Sequence, residues 1–568
     1  MNLFTTIKTN IEALFIATFG IKPEIAFNVE YPREEGVGDV TTNIAMIYTK
    51  KLSQKPQDIA SALIKNLEGV SYIKSASFAN PGYINIFLDP NFIRENFVEA
   101  IKNISNYGCA NVGQGLKTNV EFASANPTGP VHIGHVRGSV YGDVVANLLE
   151  KNGYAVTREY YVNDAGVQIQ KLTRSVFLRY LQLQGRQIEI EAGCYPGEYL
   201  IETGKKLLQK YGSNLQYETD CETIRAFAVS DMLEDIKKSL ARLGVKHNIY
   251  TSEKLVGEQG YIEKALKLLE NKGYIYTGTP PKPKGKPSDD WEESEQTLFK
   301  STLFGDDEDR VVKKNNGENT YFSGDIGYHL HKIERGFGKI ILPLGADHLG
   351  YVKRLTAIVK GLDETCDIAV KLCQLVKFVK NGEQIKMSKR KGTFETLEDV
   401  LDEVDPSIIR FIMVSKKNDL PMEFDLEKVK QTSKDNEIFY IQYAYSRACS
   451  VFRQFEGNFE KVLQEGSYNI NLLQNQHELD FIKKVLEYPK IIQIALKNLE
   501  PHHICFYLYS LASEFHKLWH FGNENEALRF IVKDNPTLTN TRLLLVFAMQ
   551  NVIKLAFKII GIEPLQTM

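Results

Sequence analysis

Asn126-Pro-Thr-Gly-Pro-Val-His-Ile-Gly134, closed by His135, is the stretch whose reading decides the fold. An apolar, strand-like run, Asn119-Val-Glu-Phe-Ala-Ser124, leads into it and breaks at Pro127, Gly129 and Pro130. Beyond it Val136, Val140, Val144, Leu148 and Leu149 recur on one helical face until Gly153 stops the pattern. Strand, turn and helix in that order open a βαβ unit and with it a parallel sheet. At the start of such a helix the backbone N–H groups lack partners and the dipole is positive, so the turn favours phosphate. Gly134 lets a flat base approach the backbone. His132 and His135, three apart, lie on the same side of the first turn and can both donate hydrogen bonds to phosphate oxygens.

Two histidines at that spacing are, in isolation, ordinary surface or core residues. A zinc site would need further Cys, His or carboxylate ligands, and none stands at a persuasive spacing. A second segment tips the balance. Lys386-Met-Ser-Lys-Arg-Lys-Gly392 follows an Asn381-Gly382 turn and ends at a glycine, so it reads as a mobile loop carrying four cations. Alone it is a solvated charge run. In one chain with the first segment, it resembles the second of the paired signatures of class I aminoacyl-tRNA synthetases.

The 568 residues exceed one hydrophobic core, so two to four domains are expected. A net charge of −2, from 69 Lys and Arg against 71 Asp and Glu, excludes a wholesale electrostatic coat for nucleic acid but permits a local basic track. The seven cysteines are scattered and odd in number, with no CxxC, which points to reduced thiols in the cytoplasm and to no structural zinc. The first residues carry no basic region followed by an apolar stretch, so no secretory signal is read. Leu543 to Ile562 is interrupted by Gln550, Asn551, Lys554 and Lys558 and reads as an amphipathic bundle helix, so no membrane span is expected.

The expected architecture is multidomain α/β. Residues 1–112 form an N-terminal α+β domain, with Leu3, Ile7, Ile11, Leu14 and Phe15 on one helix face and a strand pair, Ser71–Phe78 and Gly82–Leu88, joined by the Asn80-Pro81-Gly82 turn. Residues 113–430 form a Rossmann-type parallel-sheet domain that includes a helical stretch, 197–272, and an exposed Pro/Gly/Lys-rich excursion, 278–287. Residues 431–568 carry little strand signal and form an all-α helical bundle.

Over nearly its full length the chain resembles the arginyl-tRNA synthetases. The most specific matches are Glu121-Phe-Ala-Ser-Ala-Asn-Pro-Thr-Gly-Pro-Val-His-Ile-Gly-His135, Tyr161-Val-Asn-Asp-Ala-Gly-Val-Gln168, Thr320-Tyr-Phe-Ser-Gly-Asp-Ile-Gly-Tyr-His329 and Gly345-Ala-Asp-His-Leu-Gly-Tyr351. The resemblance implies activation of L-arginine by ATP with Mg²⁺, then transfer to the 2′-hydroxyl of the terminal adenosine of tRNA(Arg), releasing AMP and diphosphate. It implies that Pro127, Thr128, Gly129, Pro130, Val131, His132, Ile133, Gly134 and His135 bind ATP together with Met387, Ser388 and Lys389. His132, His135, Lys386 and Lys389 become the catalytic cations and donors.

A guanidinium is a planar five-donor cation whose complement is a carboxylate. By resemblance Asp325 supplies it, with Tyr321 one turn before it, while Glu121, Ser124 and Asn126 hold the substrate's ammonium and carboxylate. Asn163, Asp347 and His348 fall nearby. The N-terminal domain, with Gly38-Asp-Val-Thr-Thr-Asn43 and Pro81-Gly-Tyr-Ile-Asn85, looks like the family's tRNA-elbow and D-loop module. The bundle looks like its anticodon-binding domain, which implicates Tyr440, Tyr443, Arg447, Trp519 and Met568. It departs from the family at Tyr445-Ser446, where His-Ala is commoner, at Trp519, where tyrosine is, and at Gln566-Thr-Met, in place of Glu-Arg-Met. The expected protein is a cytoplasmic monomer that needs no zinc. A cysteinyl-tRNA synthetase would require clustered Cys and His ligands, and a non-catalytic RNA-binding relative would tolerate loss of the His and Lys motifs, which are whole here.

Overall fold

The computed structural model describes residues 2–32, 34, 36–280, 294–380, 382–384, 396–431 and 436–568. The segment Lys386-Met-Ser-Lys-Arg390 and most of the Pro/Gly/Lys-rich excursion lie outside the described residues.

The chain begins with the Leu3–Phe19 helix, capped by Asn2 and ended at Gly20 with φ 69°. Leu3, Ile7, Ile11 and Phe15 are its buried face, at 3% exposure or less, and Leu14 packs at the edge of the same core. Beside it lies an antiparallel sheet of β1 (Val29–Glu30), β2 (Val40–Thr42), β3 (Ile73–Ala79) and β4 (Tyr83–Leu88), in the order β1-β2-β4-β3. The Asn80–Gly82 turn joins β3 to β4 as the alternating apolar residues require.

The central sheet contains β5 (Lys117–Glu121), β6 (Ala155–Val162) and β7 (Ile249–Ser252). A small antiparallel sheet of β8 (Ile275–Gly278), β9 (Gln296–Phe299) and β10 (Arg310–Lys313) intervenes before β11 (Lys339–Gly345) and β12 (Asp367–Cys373) complete it. All five strands of the central sheet run parallel, in the order β12-β11-β5-β6-β7. Strand order reverses between β5 and β11, so the crevice outside their carboxyl ends is the place where such a sheet receives a ligand. A second small sheet joins β13 (Val376–Lys380), β14 (Glu383–Gln384) and β15 (Met422–Asp425).

One expectation is corrected. The 197–272 stretch is not helical throughout: β7 interrupts its helices and pairs with β6 through Glu159↔Ile249 to Val162↔Ser252. Four residues are too few for a period-2 pattern to declare itself, and it is the edge of β6 that recruits them.

The bundle comprises the Glu437–Gln454, Gln476–Asn498, His502–Glu524 and Pro536–Ile560 helices with shorter turns between them. The last is long and apolar enough to cross a membrane, yet 67% of its most apolar window is buried inside the protein. Leu543, Leu544, Leu545 and Val546 are all fully buried, while Lys554 and Lys558, one turn apart on one face, are exposed. It is a bundle helix with a broad buried face and a narrow polar stripe of Gln550, Asn551, Lys554 and Lys558, as those four polar residues lead one to expect.

The N-terminal unit leans on the bundle. Arg94 donates to the Leu473 carbonyl at 3.2 Å, Lys483 pairs with Asp39 at 2.7 Å, and Asn2 donates to Gln493 at 3.0 Å. A deeper tie joins the bundle to the central domain. Arg410, 1% exposed, donates to Asp143 at 2.5 Å, to the Leu243 carbonyl at 3.1 Å and to the Ile560 carbonyl at 2.8 Å.

Candidate active site

The carboxyl end of β5 turns through Ala123 (φ 67°) and Ser124 (φ 39°), two adjacent non-glycine residues in the left-handed region. Such strain persists where surrounding contacts over-determine it and is concentrated at binding sites. The Ser124 hydroxyl accepts from the Tyr161 N–H at 3.0 Å and so ties the turn to the end of β6. Tyr199 donates to the Thr128 carbonyl at 2.7 Å and covers Gly129. The Ile133–Lys151 helix then begins, with Val136, Val140, Val144 and Leu148 all fully buried and Gly142 lying so close to Phe122 that a Cβ there would collide with the ring.

His132 is the N-cap of this helix. Its Nδ1 accepts from the Gly134 N–H at 3.2 Å, and Nδ1 of His135 accepts from the His132 N–H at 3.4 Å, so the pair forms a reciprocal capping box. The ring centroids stand 3.9 Å apart. Because both Nδ1 atoms act as acceptors, each neutral ring carries its proton on Nε2 and is poised as a donor there. The segment that resumes at Thr396 is pinned against this turn: Thr396 bridges to His132, and the Leu397 N–H donates to the Val131 carbonyl at 2.8 Å.

Asn126, Thr128, His132 and His135 form one wall of a cavity of about 820 Å³ whose other wall is Gln168, Lys171 and the 190–196 loop. Asn126 donates to Gln168 at 3.0 Å. Glu121 and Asp325 do not line this cavity.

Those two belong to an adjoining acidic recess built on the Tyr321–Glu334 helix. Asp325 is half-buried, and burial, then the neighbouring charges of Glu253 and Glu121, push its carboxyl up to about 7 against the opposing pull of Arg354. Burial, then Asp164, also raises Glu253, which is hydrogen-bonded to Tyr161, and its Oε2 is buried without a partner among the described residues. Glu121 is held by Lys332, which is fully buried, and accepts from Tyr328 at 3.0 Å. The same Tyr328 hydroxyl also lies 3.0 Å from the buried Glu159, so its one proton is shared between the two carboxylates, and Arg335 binds Glu159 at 2.7 Å. Asp325 and Glu253, both raised, are therefore the carboxylates here that a bound cation would draw toward the ionised form, above a floor of compensated charge.

Other expected residues stand further out. The Tyr321 side chain is on the helix's first turn but 86% exposed, so it does not pack on Asp325. Asp347 and His348 sit on an exposed turn after β11, 3.6 Å from one another. Asn163 is half-buried at the end of β6. Sequence reasoning missed Glu253, Tyr161, Tyr328 and Lys332. Tyr161 and Tyr328 lay within quoted motifs, whereas Glu253 follows the short strand β7 and carried no signal.

On the bundle, Tyr440, Tyr443, Arg447 and Trp519 come together. The Arg447 guanidinium lies 4.2 Å from the Tyr443 ring centroid and 5.0 Å from that of Trp519, and bonds His516 at 3.0 Å. Trp519 is half-buried beside a pocket of about 290 Å³ lined by Val451, Gln454, Phe530 and Arg529, while Phe515 one turn earlier is fully buried. The tail runs back along the Glu437–Gln454 helix, with the Gln566 carbonyl accepting from Arg453 at 3.2 Å, and Met568 is 57% exposed.

Three family models match the chain. The arginyl tRNA synthetase N terminal domain matches residues 2–88, the catalytic domain of class I (R) tRNA synthetases matches 99–188, and the DALR anticodon binding domain matches 441–568. The arginine–tRNA ligase of Rickettsia prowazekii (strain Madrid E) is 45% identical, and that of Wolbachia sp. subsp. Brugia malayi (strain TRS) 46% identical, each alignment covering 100% of both chains. Among solved structures, the Thermus thermophilus arginyl-tRNA synthetase superposes with a TM-score of 0.74 at 17% identity over 100% of both chains. The Plasmodium falciparum arginyl-tRNA synthetase does so with a TM-score of 0.74 at 18% identity, over 100% of this chain and 99% of that one. At those identities the superpositions speak to the fold alone.

Proposed function

The chain belongs to the arginyl-tRNA synthetase family, a class I arginine–tRNA ligase, and from that premise we propose how its residues divide the reaction. The arginine guanidinium enters the recess and meets Asp325, with Glu253 as a second carboxylate, while Glu121, Ser124 and Asn126 hold the ammonium and carboxylate. The arginine carboxylate attacks the α-phosphate of ATP, pyrophosphate leaves in line, and the 2′-hydroxyl of the terminal adenosine then displaces AMP. No covalent bond to the protein is required, so catalysis consists of positioning and neutralisation of charge. Nε2–H of His132 and of His135 donate to the phosphates, and Lys386 and Lys389 supply the opposing cations. Mg²⁺ enters as part of the ATP substrate. The hydrogen bond from Leu397 to Val131 supports this division, because it holds residue 397, eight after Lys389 in sequence, against the histidine turn.

In this reading residues 1–112 contact the tRNA elbow and D-loop, 113–430 hold the chemistry, and 431–568 read the anticodon. The protein works as a monomer in the cytoplasm, where its seven free thiols would stay reduced.

The observation that carries the substrate assignment is the acidic recess beside the histidine turn. The test is charging of total tRNA with each amino acid in turn. Arginine should be accepted, lysine and cysteine should be poor, and charging should survive zinc chelation once magnesium is restored. Robust cysteine charging, or activity that zinc alone restores, would overturn the assignment.

Trp519 offers a separate test on the bundle. Stacking of an unpaired base on an aromatic face contributes roughly 1–3 kcal/mol, so Trp519→Ala should raise the KM for tRNA by about 5- to 150-fold, and Trp519→Tyr should restore most of it. If KM is unchanged while the melting temperature falls steeply, the indole is only core, and the anticodon contact rests on Tyr440, Tyr443, Arg447 and Met568.

A further inference from the structure

The turn between the Gln476–Asn498 and His502–Glu524 helices gathers Glu500, His502 and His503, one ligand atom from each lying within 4.8 Å of the other two. None of the three lines the cavity beside His132 and His135. Nε2 of His503 stands 3.2 Å from Oε2 of Glu500, close to the donor–donor edge of roughly 3.3 Å that a tetrahedral ion with bonds of about 2.0–2.1 Å would set. His502 is 7% exposed, and its Nδ1 is buried without a hydrogen-bond partner among the described residues, a state that folded proteins seldom leave unexplained.

Other charged groups facing the cluster are Lys417 and Asp419. Lys417 lies 3.6 Å from Glu500 but 3.0 Å from Asp419, so it keeps a partner if a metal ion takes the glutamate. The same turn is already attached to the central domain: Tyr141 donates to the Leu499 carbonyl at 2.6 Å, and Lys371 to the Asn498 carbonyl at 2.7 Å. An ion here would stiffen the joint between bundle and catalytic sheet without touching the reacting atoms.

We propose that Glu500, His502 and His503 form a structural site for a divalent transition-metal ion of the zinc class, with water as the fourth ligand. The full-length chain, stripped with chelator and desalted, would be titrated with Co²⁺ as the visible probe. Wild type should gain the d–d absorption of a four-coordinate nitrogen and oxygen site, saturating with one equivalent and bleached by Zn²⁺. Glu500→Gln and His503→Gln, both at partly exposed positions, should lose that absorption while charging tRNA with arginine at the wild-type rate. Zn²⁺ should raise the melting temperature of wild type and not of either variant. His132, His135 and the cysteines also offer ligands, so the difference between wild type and the two variants carries the assignment. Equal Co²⁺ spectra in all three proteins, or no uptake by wild type, would overturn it.

Discussion

Asp325→Asn should lower kcat/KM for arginine by roughly 30- to 5,000-fold, the range for truncating one partner of a buried, hydrogen-bonded charge pair. The amide keeps the shape but cannot oppose a guanidinium. A pH signature should accompany the loss. Burial, then Glu253 and Glu121, push the wild-type carboxyl to about 7 in the empty protein, so arginine binding must favour the ionised form and expel a proton. KM for arginine should therefore climb as pH falls below about 7, approaching tenfold per unit, and the slope should vanish in the asparagine variant. Stability runs the other way. A carboxyl whose folded pKa is raised contributes stability below its unfolded value that is lost as pH rises through the folded one. Asp325→Asn should consequently melt no lower than wild type at pH 8. A wild-type KM that stays flat between pH 6 and 8 would show that Asp325 does not face the substrate.

The second large effect is expected at the histidine turn. His132 has two tasks, capping the Ile133–Lys151 helix through Nδ1 and donating through Nε2. Asparagine is also a good N-cap, so His132→Asn should keep the melting temperature within a degree or two of wild type. It should nonetheless slow adenylate formation by roughly 10²–10³, the usual scale for deleting one donor to developing charge. His135→Ala should lose a similar factor. Normal pyrophosphate exchange in both variants would remove the rings from the chemistry and leave them as capping residues only.

How much of this was legible depended on the range of the interactions. The strand, turn and helix around Asn126–Gly134 were readable because a local pattern, apolar spacing and a glycine-rich break, governs all three. The bundle's last helix was legible as an amphipathic helix, with Lys554 and Lys558 on its open side, but not the buried Arg542, whose partner Glu478 stands on another helix more than sixty residues away. The strand β7 escaped because its neighbour in space, β6, is nearly ninety residues away in the chain. The site shows the same divide. Asp325 and the histidines belong to contiguous motifs, but the recess in which burial, Glu253 and Glu121 raise the Asp325 carboxyl against Arg354 is assembled from separate elements that meet only when the sheet forms. Tyr321, one turn before Asp325 on the same helix, instead stands 86% exposed at the helix start.

Arg410 sets a condition on recombining this protein with its relatives. One guanidinium holds the end of the final helix, the end of the Tyr217–Arg242 helix and the Asp143 carboxylate at once, and Gly561, at φ 77°, leaves the space in which it lies. A chimera that grafts a foreign bundle onto this catalytic sheet must therefore import a glycine at position 561, or displace the buried guanidinium. Segment boundaries drawn by homology alone would cut through that arrangement. A crossover placed before Arg410 keeps it with Ile560 and Gly561, and then requires of the other parent only a carboxylate at position 143, since position 243 contributes a backbone carbonyl.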